Sequence, residues 1–178
     1  NIPVRQAWAV AGSAVTSEMR YADASDPAAS FTTVLARRDG VEYSVEHAVV
    51  DGEDRFLILH NDGAVNFTLV EAPVADPADQ RTLIAARDDV RLEGVDAFAR
   101  HLVVSYRREA LPRIQLWPIS AGNGYGTPEE LTFDSELTSS GLGGNPNWDA
   151  PKLRVAATSF VTPLRIYDMD LATGDRTL

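Results

Sequence analysis

A repeat of about 50 residues is the feature that most constrains what this chain can fold into. Four short runs recur in the same order, and equivalent positions in successive copies lie 46 to 52 residues apart, by subtraction of their sequence numbers. The equivalent positions are Trp8, Phe56, Leu102 and Leu153 in the first set; Met19, Phe67, Ile114 and Ile166 in the second; Phe31, Arg81, Glu130 and Arg176 in the third; and Val45, Val95 and Leu142 in a fourth set that precedes the first. The spacings agree from set to set, which indicates one structural unit used several times.

The composition of the runs predicts that each is a β-strand. They are rich in Val, Leu, Ile, Thr, Phe and Tyr and are separated by Asp, Gly, Asn and Pro, which is typical of short strands joined by turns. No stretch keeps a helical period over the length of an average helix. Hairpin turns that need positive φ are predicted at Asp51-Gly52, Asn61-Asp62-Gly63 and Thr173-Gly174-Asp175. The sequence therefore predicts an all-β protein.

Four strands per unit of about 50 residues is the pattern of a β-propeller blade, a four-stranded antiparallel sheet. We predict one partial propeller domain over residues 1–178, with a partial blade at 7–36 and full blades at 41–86, 90–135 and 138–178. The fourth set would supply the innermost strand, beside the central channel. Three and a half blades do not close a ring, so we expect a fragment of a longer protein, whose open edges would favour self-association.

Composition limits the partners of the chain. The 178 residues include 16 Lys and Arg against 26 Asp and Glu, a formal net charge of −10. Such a surface repels nucleic acid and anionic lipid, and no apolar run approaches the roughly 20 residues that span a bilayer. We therefore expect a soluble protein without nucleic-acid or membrane partners. The absence of cysteine from the sequence excludes disulfides and thiolate metal sites.

The sequence does not contain a complete zinc, calcium-loop, dinucleotide-binding or serine-nucleophile motif. The histidines His47, His60 and His101 lack the spacing of a helical zinc motif, and the segment 168–175 lacks two ligands of a calcium loop. The glycine cluster 141–144 is followed by Pro146 where a dinucleotide fingerprint needs glycine, and no Gly-x-Ser-x-Gly motif occurs. We assign no catalytic, cofactor-binding or metal-binding residue to this chain.

The predicted innermost strands carry the best candidates for a functional surface. One member of each adjacent pair on these strands should face the channel, and the alternation of a strand does not say which. The pairs are Glu46 or His47, Asp96 or Ala97, and Gly143 or Gly144.

Several segments taken together resemble a known family. They are SAVTSEMR at 13–20, RRDGVEYSVEH at 37–47, LEG at 92–94, TP at 162–163 and YDMDLATGDR at 167–176. In this order they resemble the oligopeptidase B (protease II) members of the prolyl oligopeptidase family of serine peptidases. The tail is similar to the last propeller blade before the catalytic domain, and the likeness extends from about residue 12 to the end.

This resemblance implies a cytoplasmic serine peptidase in which a seven-bladed propeller caps an α/β-hydrolase domain. Such enzymes cleave short peptides after Arg or Lys, and the propeller excludes folded proteins. The catalytic serine, aspartate and histidine and the acidic residues that bind the basic side chain belong to the hydrolase domain, so we expect this chain to be inactive alone. Its partners would be that domain and the N-terminal blades of the same polypeptide, with short basic peptides as substrates. A non-catalytic propeller that binds peptides or proteins is the alternative, because a fold does not determine a function.

Overall fold

The computed structural model describes residues 6–12, 15–133, 135 and 137–178. Within them sixteen strands form four antiparallel sheets. In chain order the strands are β1 (Gln6–Gly12), β2 (Ser17–Asp23), β3 (Thr32–Thr33), β4 (Tyr43–Val50), β5 (Glu53–His60), β6 (Thr68–Pro73), β7 (Arg81–Ile84), β8 (Val90–Ala97), β9 (His101–Arg108), β10 (Leu111–Ser120), β11 (Gly124–Tyr125), β12 (Glu129–Glu130), β13 (Ser139–Leu142), β14 (Lys152–Thr158), β15 (Arg165–Asp170) and β16 (Arg176–Thr177). A helix with the length and apolar character needed to cross a membrane is absent from the described ranges.

The sheets follow the repeat. Their strand orders are β1-β2-β3, β4-β5-β6-β7, β11-β10-β9-β8 with β12 also on β10, and β13-β14-β15-β16. The first set of repeat positions falls on β1, β5, β9 and β14, and the fourth set falls on β4, β8 and β13 at the edges of their sheets. The prediction of an all-β protein built from four-stranded antiparallel sheets is confirmed.

The third sheet departs from the four-strand plan. Its strand β10 is ten residues long and pairs with β12 near its middle and with β11 at its end, where Ser120 faces Gly124. The fourth strand of this sheet is therefore split in two, and β11 is an addition that the repeat does not predict.

Most of the predicted turn chemistry is found. Asp51, Gly52, Gly63 and Gly174 have φ of 54°, 80°, 65° and 77°, the left-handed region that tight hairpins require. The turn between β9 and β10 reaches the same region without glycine, since Glu109 and Ala110 have φ of 51° and 66°. A sequence pattern based on Gly, Asn and Asp does not predict this turn.

The chain divides into two compact units, residues 1–49 with 53–87 and residues 50–52 with 88–178. In the first unit the buried side chains of the sheets β1–β3 and β4–β7 form what we call the aromatic core. Its members are Met19, Val34, Tyr43, Val45, Phe56, Ile58, Val70 and Ala72, with Trp8, Tyr21, Leu35 and Val74 packed against them. The ring of Phe56 lies 5.6 Å from that of Trp8 and 4.9 Å from that of Tyr21, measured between centroids.

The second unit has a core of mainly aliphatic side chains from the sheets β8–β12 and β13–β16, which we call the aliphatic core. Its members are Val103, Ile114, Leu131, Leu153, Val155 and Met169, with Phe98, Leu116, Phe133, Leu142, Tyr167 and Leu171 packed against them. Each unit thus buries one face of each of two sheets, the usual way in which a sheet removes its apolar side chains from water.

Candidate functional site on the first strands of the sheets

The strands β4, β8 and β13 each begin a sheet and pair with one neighbour, β5, β9 and β14 respectively, in the described structure. One side of each backbone is therefore available for hydrogen bonds outside the sheet. All the candidate residues lie on or directly after these strands. Glu46 and His47 belong to the first unit, and Asp96, Ala97, Gly143 and Gly144 belong to the second.

Glu46 and His47 are both half-buried. The reason lies in β4, where Tyr43 and Val45 are buried at odd positions and Ala48 and Val50 at even positions. Because the buried face changes between Val45 and Ala48, the two residues at the change are alike in exposure. The strict alternation expected of a strand does not hold here, so it does not show whether Glu46 or His47 faces the predicted channel.

His47 is held by an acidic neighbour. Its Nε2 lies 2.9 Å from Oδ1 of Asp54 on β5, and the side chain of His47 is 18% exposed. A carboxylate that orients an imidazole is one half of a general-base arrangement. A hydroxyl nucleophile hydrogen-bonded to this ring is missing from the described residues, so the pair orients His47 without forming a catalytic set.

Asp96 is exposed, whereas Ala97 is half-buried. The register shifts between Leu92 and Gly94, and beyond this bulge Asp96 pairs with Val103. Paired residues project from the same face of a sheet, so Asp96 lies at the margin of the face that carries the aliphatic core. Although the residue as a whole is exposed, its carboxyl is partly buried, and this partial burial raises the pKa of Asp96, because a low-dielectric surrounding disfavours the charged form.

Gly143 and Gly144 differ sharply in their surroundings. A Cβ added to Gly143 would lie 2.7 Å from Cγ of Arg154, whereas one added to Gly144 would meet nothing within 4 Å. The amide of Gly143 donates to the carbonyl of Arg154 at 2.9 Å, and Asn145 binds both the amide and the carbonyl of Arg154 through its side chain. Gly143 is thus required for close packing against Arg154 within its own sheet.

The other histidines do not belong to a metal-binding group among the described residues, and the segment 168–175 has a structural role. Burial lowers the pKa of His60 and of His101, and the described residues contain no group of three or more His, Cys, Asp or Glu that could hold a metal ion. Asp168 binds Arg154 through both carboxylate oxygens, at 2.8 and 3.0 Å. Oδ1 of Asp170 accepts hydrogen bonds from the amides of Ala172 and Thr173. This segment is a strand followed by a turn, as the repeat predicts.

Comparison with known proteins gives the same fold and a family. Residues 8–178 match the model of the prolyl oligopeptidase N-terminal beta-propeller domain. Dipeptidyl aminopeptidase BI of Pseudoxanthomonas mexicana is 35% identical over 167 residues, and Protease 2 of Moraxella lacunata is 27% identical over 164. Each match covers 92% of this chain and 22% of the relative, so the chain spans about a fifth of the length of these proteins.

Solved structures of oligopeptidase B have the same fold as this chain. Oligopeptidase B from Trypanosoma brucei, in a closed form with covalently bound antipain, matches with a TM-score of 0.86 and 27% identity over 99% of this chain and 27% of that one. Oligopeptidase B from Leishmania major matches with a TM-score of 0.82 and 26% identity over 97% of this chain and 25% of that one. The family expected from the sequence segments is confirmed. The chain belongs to the prolyl oligopeptidase family, as part of its N-terminal β-propeller domain.

Proposed function

We propose that this chain is part of the propeller of an oligopeptidase B-like serine peptidase that cleaves short peptides after Arg or Lys. The observation that carries the proposal is the likeness to oligopeptidase B from Trypanosoma brucei, with a TM-score of 0.86 over nearly the whole chain. The role of the propeller would be steric, since a ring of blades over an active site admits only narrow, extended peptides. A hinge between domains could open and close this access.

Charge supports the preference for basic peptides. The chain carries a net charge of −10, and a field of this sign raises the rate at which cationic ligands arrive. Glu46 and Asp96 on the first strands would place carboxylates beside the path of the peptide. This contribution should weaken with ionic strength, because salt screens interactions beyond about 8 Å at physiological concentration.

A cluster of exposed apolar side chains supports a partner within the same polypeptide. Phe160 and Val161 are 93% and 86% exposed in the loop between β14 and β15, with Leu164 and Ile166 close by in sequence and also exposed. Large apolar side chains that are exposed together over so short a stretch of chain are often covered by a partner in a native protein. We propose that the remaining blades and the C-terminal hydrolase domain of the longer protein cover it, and that the protein works in the cytoplasm.

The test uses the longer protein that contains this chain. Its kcat/KM is measured on a ten-residue peptide with one Arg, on the same peptide with Gln in place of Arg, and on a folded protein that displays the Arg peptide in a surface loop. We expect cleavage of the Arg peptide alone. Cleavage of the folded protein at a similar rate would refute steric gating, and equal cleavage of the Gln peptide would refute the basic specificity.

The electrostatic part has its own control. Glu46→Gln combined with Asp96→Asn should lower kcat/KM for the Arg peptide at low salt and make it less sensitive to added salt. Asp76→Asn combined with Asp79→Asn removes the same charge from exposed positions between β6 and β7 and should change kcat/KM much less. Equal effects of the two double variants would leave only the net charge as the cause.

A further inference from the structure

A pocket of about 180 Å³ lies in the second unit, at the end of the last sheet where β14 turns into β15. Its lining includes two cations, two aromatic rings and several hydroxyl groups. The residues that matter for its chemistry are Phe133, Thr138, Thr158, Arg165, Tyr167 and Arg176. The described part of the lining contains no carboxylate.

Strand register places both cations on one face of the sheet. Arg165, Tyr167 and Met169 alternate along β15 and so project from the same face, and Met169 pairs with Arg176 on β16. Met169 is 2% exposed within the aliphatic core, which identifies this face as the one turned toward the core. Arg165 and Arg176 are therefore the charged margin of an otherwise apolar face.

The aromatic rings fix one of the two cations. The rings of Phe133 and Tyr167 are 6.0 Å apart between centroids, and Cζ of Arg176 lies 4.6 Å from the centroid of Phe133. Nη1 of Arg176 also donates to the carbonyl of Thr132 at 2.6 Å. A guanidinium stacked on a ring and tied to a carbonyl loses little further freedom on binding a ligand.

Arg165 is the cation that remains available. It is exposed, and within the described ranges its side chain makes no ion pair or hydrogen bond, unlike that of Arg154 on the other face, which is bound by Asp168. A guanidinium presents its donors in a planar fork that matches a carboxylate. Hydroxyl groups of Thr138 and Thr158 in the same lining can donate to the remaining oxygen positions.

We propose that this pocket binds the carboxylate of a peptide, either an acidic side chain or a C-terminal α-carboxylate. The carboxylate would lie between Arg165 and Arg176, and the aliphatic part of the peptide would contact the rings of Phe133 and Tyr167. The pocket volume of about 180 Å³ leaves room for one carboxylate-bearing side chain. The site rests on these residues and not on the proposed peptidase function, but it requires that the segment proposed to cover Phe160 and Val161 leaves Arg165 accessible.

The test is a heteronuclear NMR titration, at low salt, of the longer protein that contains this chain, with ¹⁵N placed selectively on Arg and Tyr and the titration followed at the amides of Arg165 and Tyr167. The probes are the blocked peptide acetyl-Ala-Glu-Ala-amide, the same peptide with Gln, and acetyl-Ala-Ala-Ala with a free C-terminus. We expect saturable shifts with the Glu peptide, the free C-terminus or both, and none with the Gln peptide. The response to the first and third probes distinguishes the two sources of carboxylate.

Variants test whether Arg165 is responsible for binding the carboxylate. Arg165→Gln should weaken binding about tenfold or more, as the loss of a charge-assisted hydrogen bond implies, and Arg165→Lys should fall between it and the parent. Lys152→Gln removes the same charge from an exposed position on the opposite face of this sheet and should leave binding within about twofold of the parent. Because the side chain of Arg165 is exposed and makes no ion pair or hydrogen bond with the described residues, the variant should remain folded, as its amide spectrum will show.

Three results would overturn the proposal, the third from a control titration with inorganic phosphate. Binding of the Gln peptide as tight as that of the Glu peptide would show that the charge is not recognised. Undiminished binding by Arg165→Gln would show that the carboxylate is held elsewhere. Shifts with inorganic phosphate but with none of the peptides would also refute a peptide site.

Discussion

The two units of the chain use the same plan of two sheets around one core, yet they fill it with different chemistry. In the first unit the core contains three rings in contact, Trp8, Tyr21 and Phe56. In the second the core is aliphatic, and the rings of Phe133 and Tyr167 lie at its margin beside Arg176. The repeat therefore determines which positions are buried, while the residue type at those positions is set separately in each unit.

Phe56 and Leu153 show this most clearly, since they are equivalent in the repeat and both are almost completely buried, at 0% and 1% exposure. Close packing leaves little tolerance for volume changes in either core. If each core is packed around its own set of side chains, the residue type at this position of one unit should pack poorly in the other unit.

The largest effect is expected from shortening these side chains. Phe56→Ala should lower the free energy of unfolding by about 3–5 kcal/mol and Leu153→Ala by about 2–5 kcal/mol. The sharper test exchanges residue types. Phe56→Leu should still cost about 1 kcal/mol or more because the ring contacts are lost, and Leu153→Phe should cost about 1–3 kcal/mol through overpacking. Urea denaturation measures the free energy of unfolding of all four variants. If Phe56→Leu and Leu153→Phe both left it unchanged, the two cores would not be packed around different residue types.

The same substitution at a tyrosine should have different effects in the two units. The hydroxyl of Tyr43 accepts from the amide of Met19 at 2.8 Å and donates to the carbonyl of Leu35 at 2.7 Å, in a buried setting. Tyr43→Phe leaves these backbone groups without a partner and should cost about 1–3 kcal/mol. Tyr167→Phe should stay within about 0.5 kcal/mol, since its hydroxyl has no partner in the part of the chain that is described. Equal costs in thermal or urea unfolding would refute the difference.

Neighbouring glycines on the last sheet allow a closer comparison. Gly143→Ala places a Cβ against Arg154, whose side chain must move and disturb its ion pair with Asp168, so we expect a loss of about 1 kcal/mol. Gly144→Ala meets open space and should be nearly neutral. Both variants can be compared by their melting temperatures. A larger loss for Gly144→Ala would show that the space around it is filled in solution.

The smallest effect is expected at Asp96. Burial raises the pKa of its carboxyl in the folded state, so the folded protein binds the proton more tightly than the unfolded chain does. The parent therefore loses stability as the pH rises from the ordinary Asp pKa of about 3.9 through the folded-state value. Asp96→Asn should be slightly more stable at pH 7, and this advantage should vanish below the ordinary pKa. An advantage that persists at low pH would exclude ionisation as its cause.

The repeat is sufficient to predict most of the strands and their order, with β11 as an exception, because each blade buries apolar runs at fixed spacing. Phe56, Leu102 and Leu153 mark central strands, and Val45, Val95 and Leu142 mark edge strands, as the sheets show. The predicted turns at Asp51-Gly52 and Gly174 follow from the backbone freedom of glycine and from the tolerance of Asp for positive φ.

What the sequence does not predict depends on local irregularity and on contacts between strands. The change of buried face at Glu46 and His47 and the bulge before Gly94 break the alternation that would have selected one candidate of each pair. The close approach of Gly143 to Arg154 requires the hairpin register, and so does the shared face of Arg165 and Arg176. Only cross-strand pairing makes such neighbours visible, since the two arginines are eleven positions apart in sequence.

The proposal that this chain is part of the propeller of a serine peptidase is tested most directly by active-site labelling of the natural polypeptide. Lysate of the source cells is treated with a fluorophosphonate, which reacts with activated serines, and an antibody raised against this chain isolates the polypeptide. We expect a labelled band several times larger than the 19.3 kDa of this chain. An unlabelled band near 19.3 kDa would contradict the claim and favour a propeller that binds partners without catalysis.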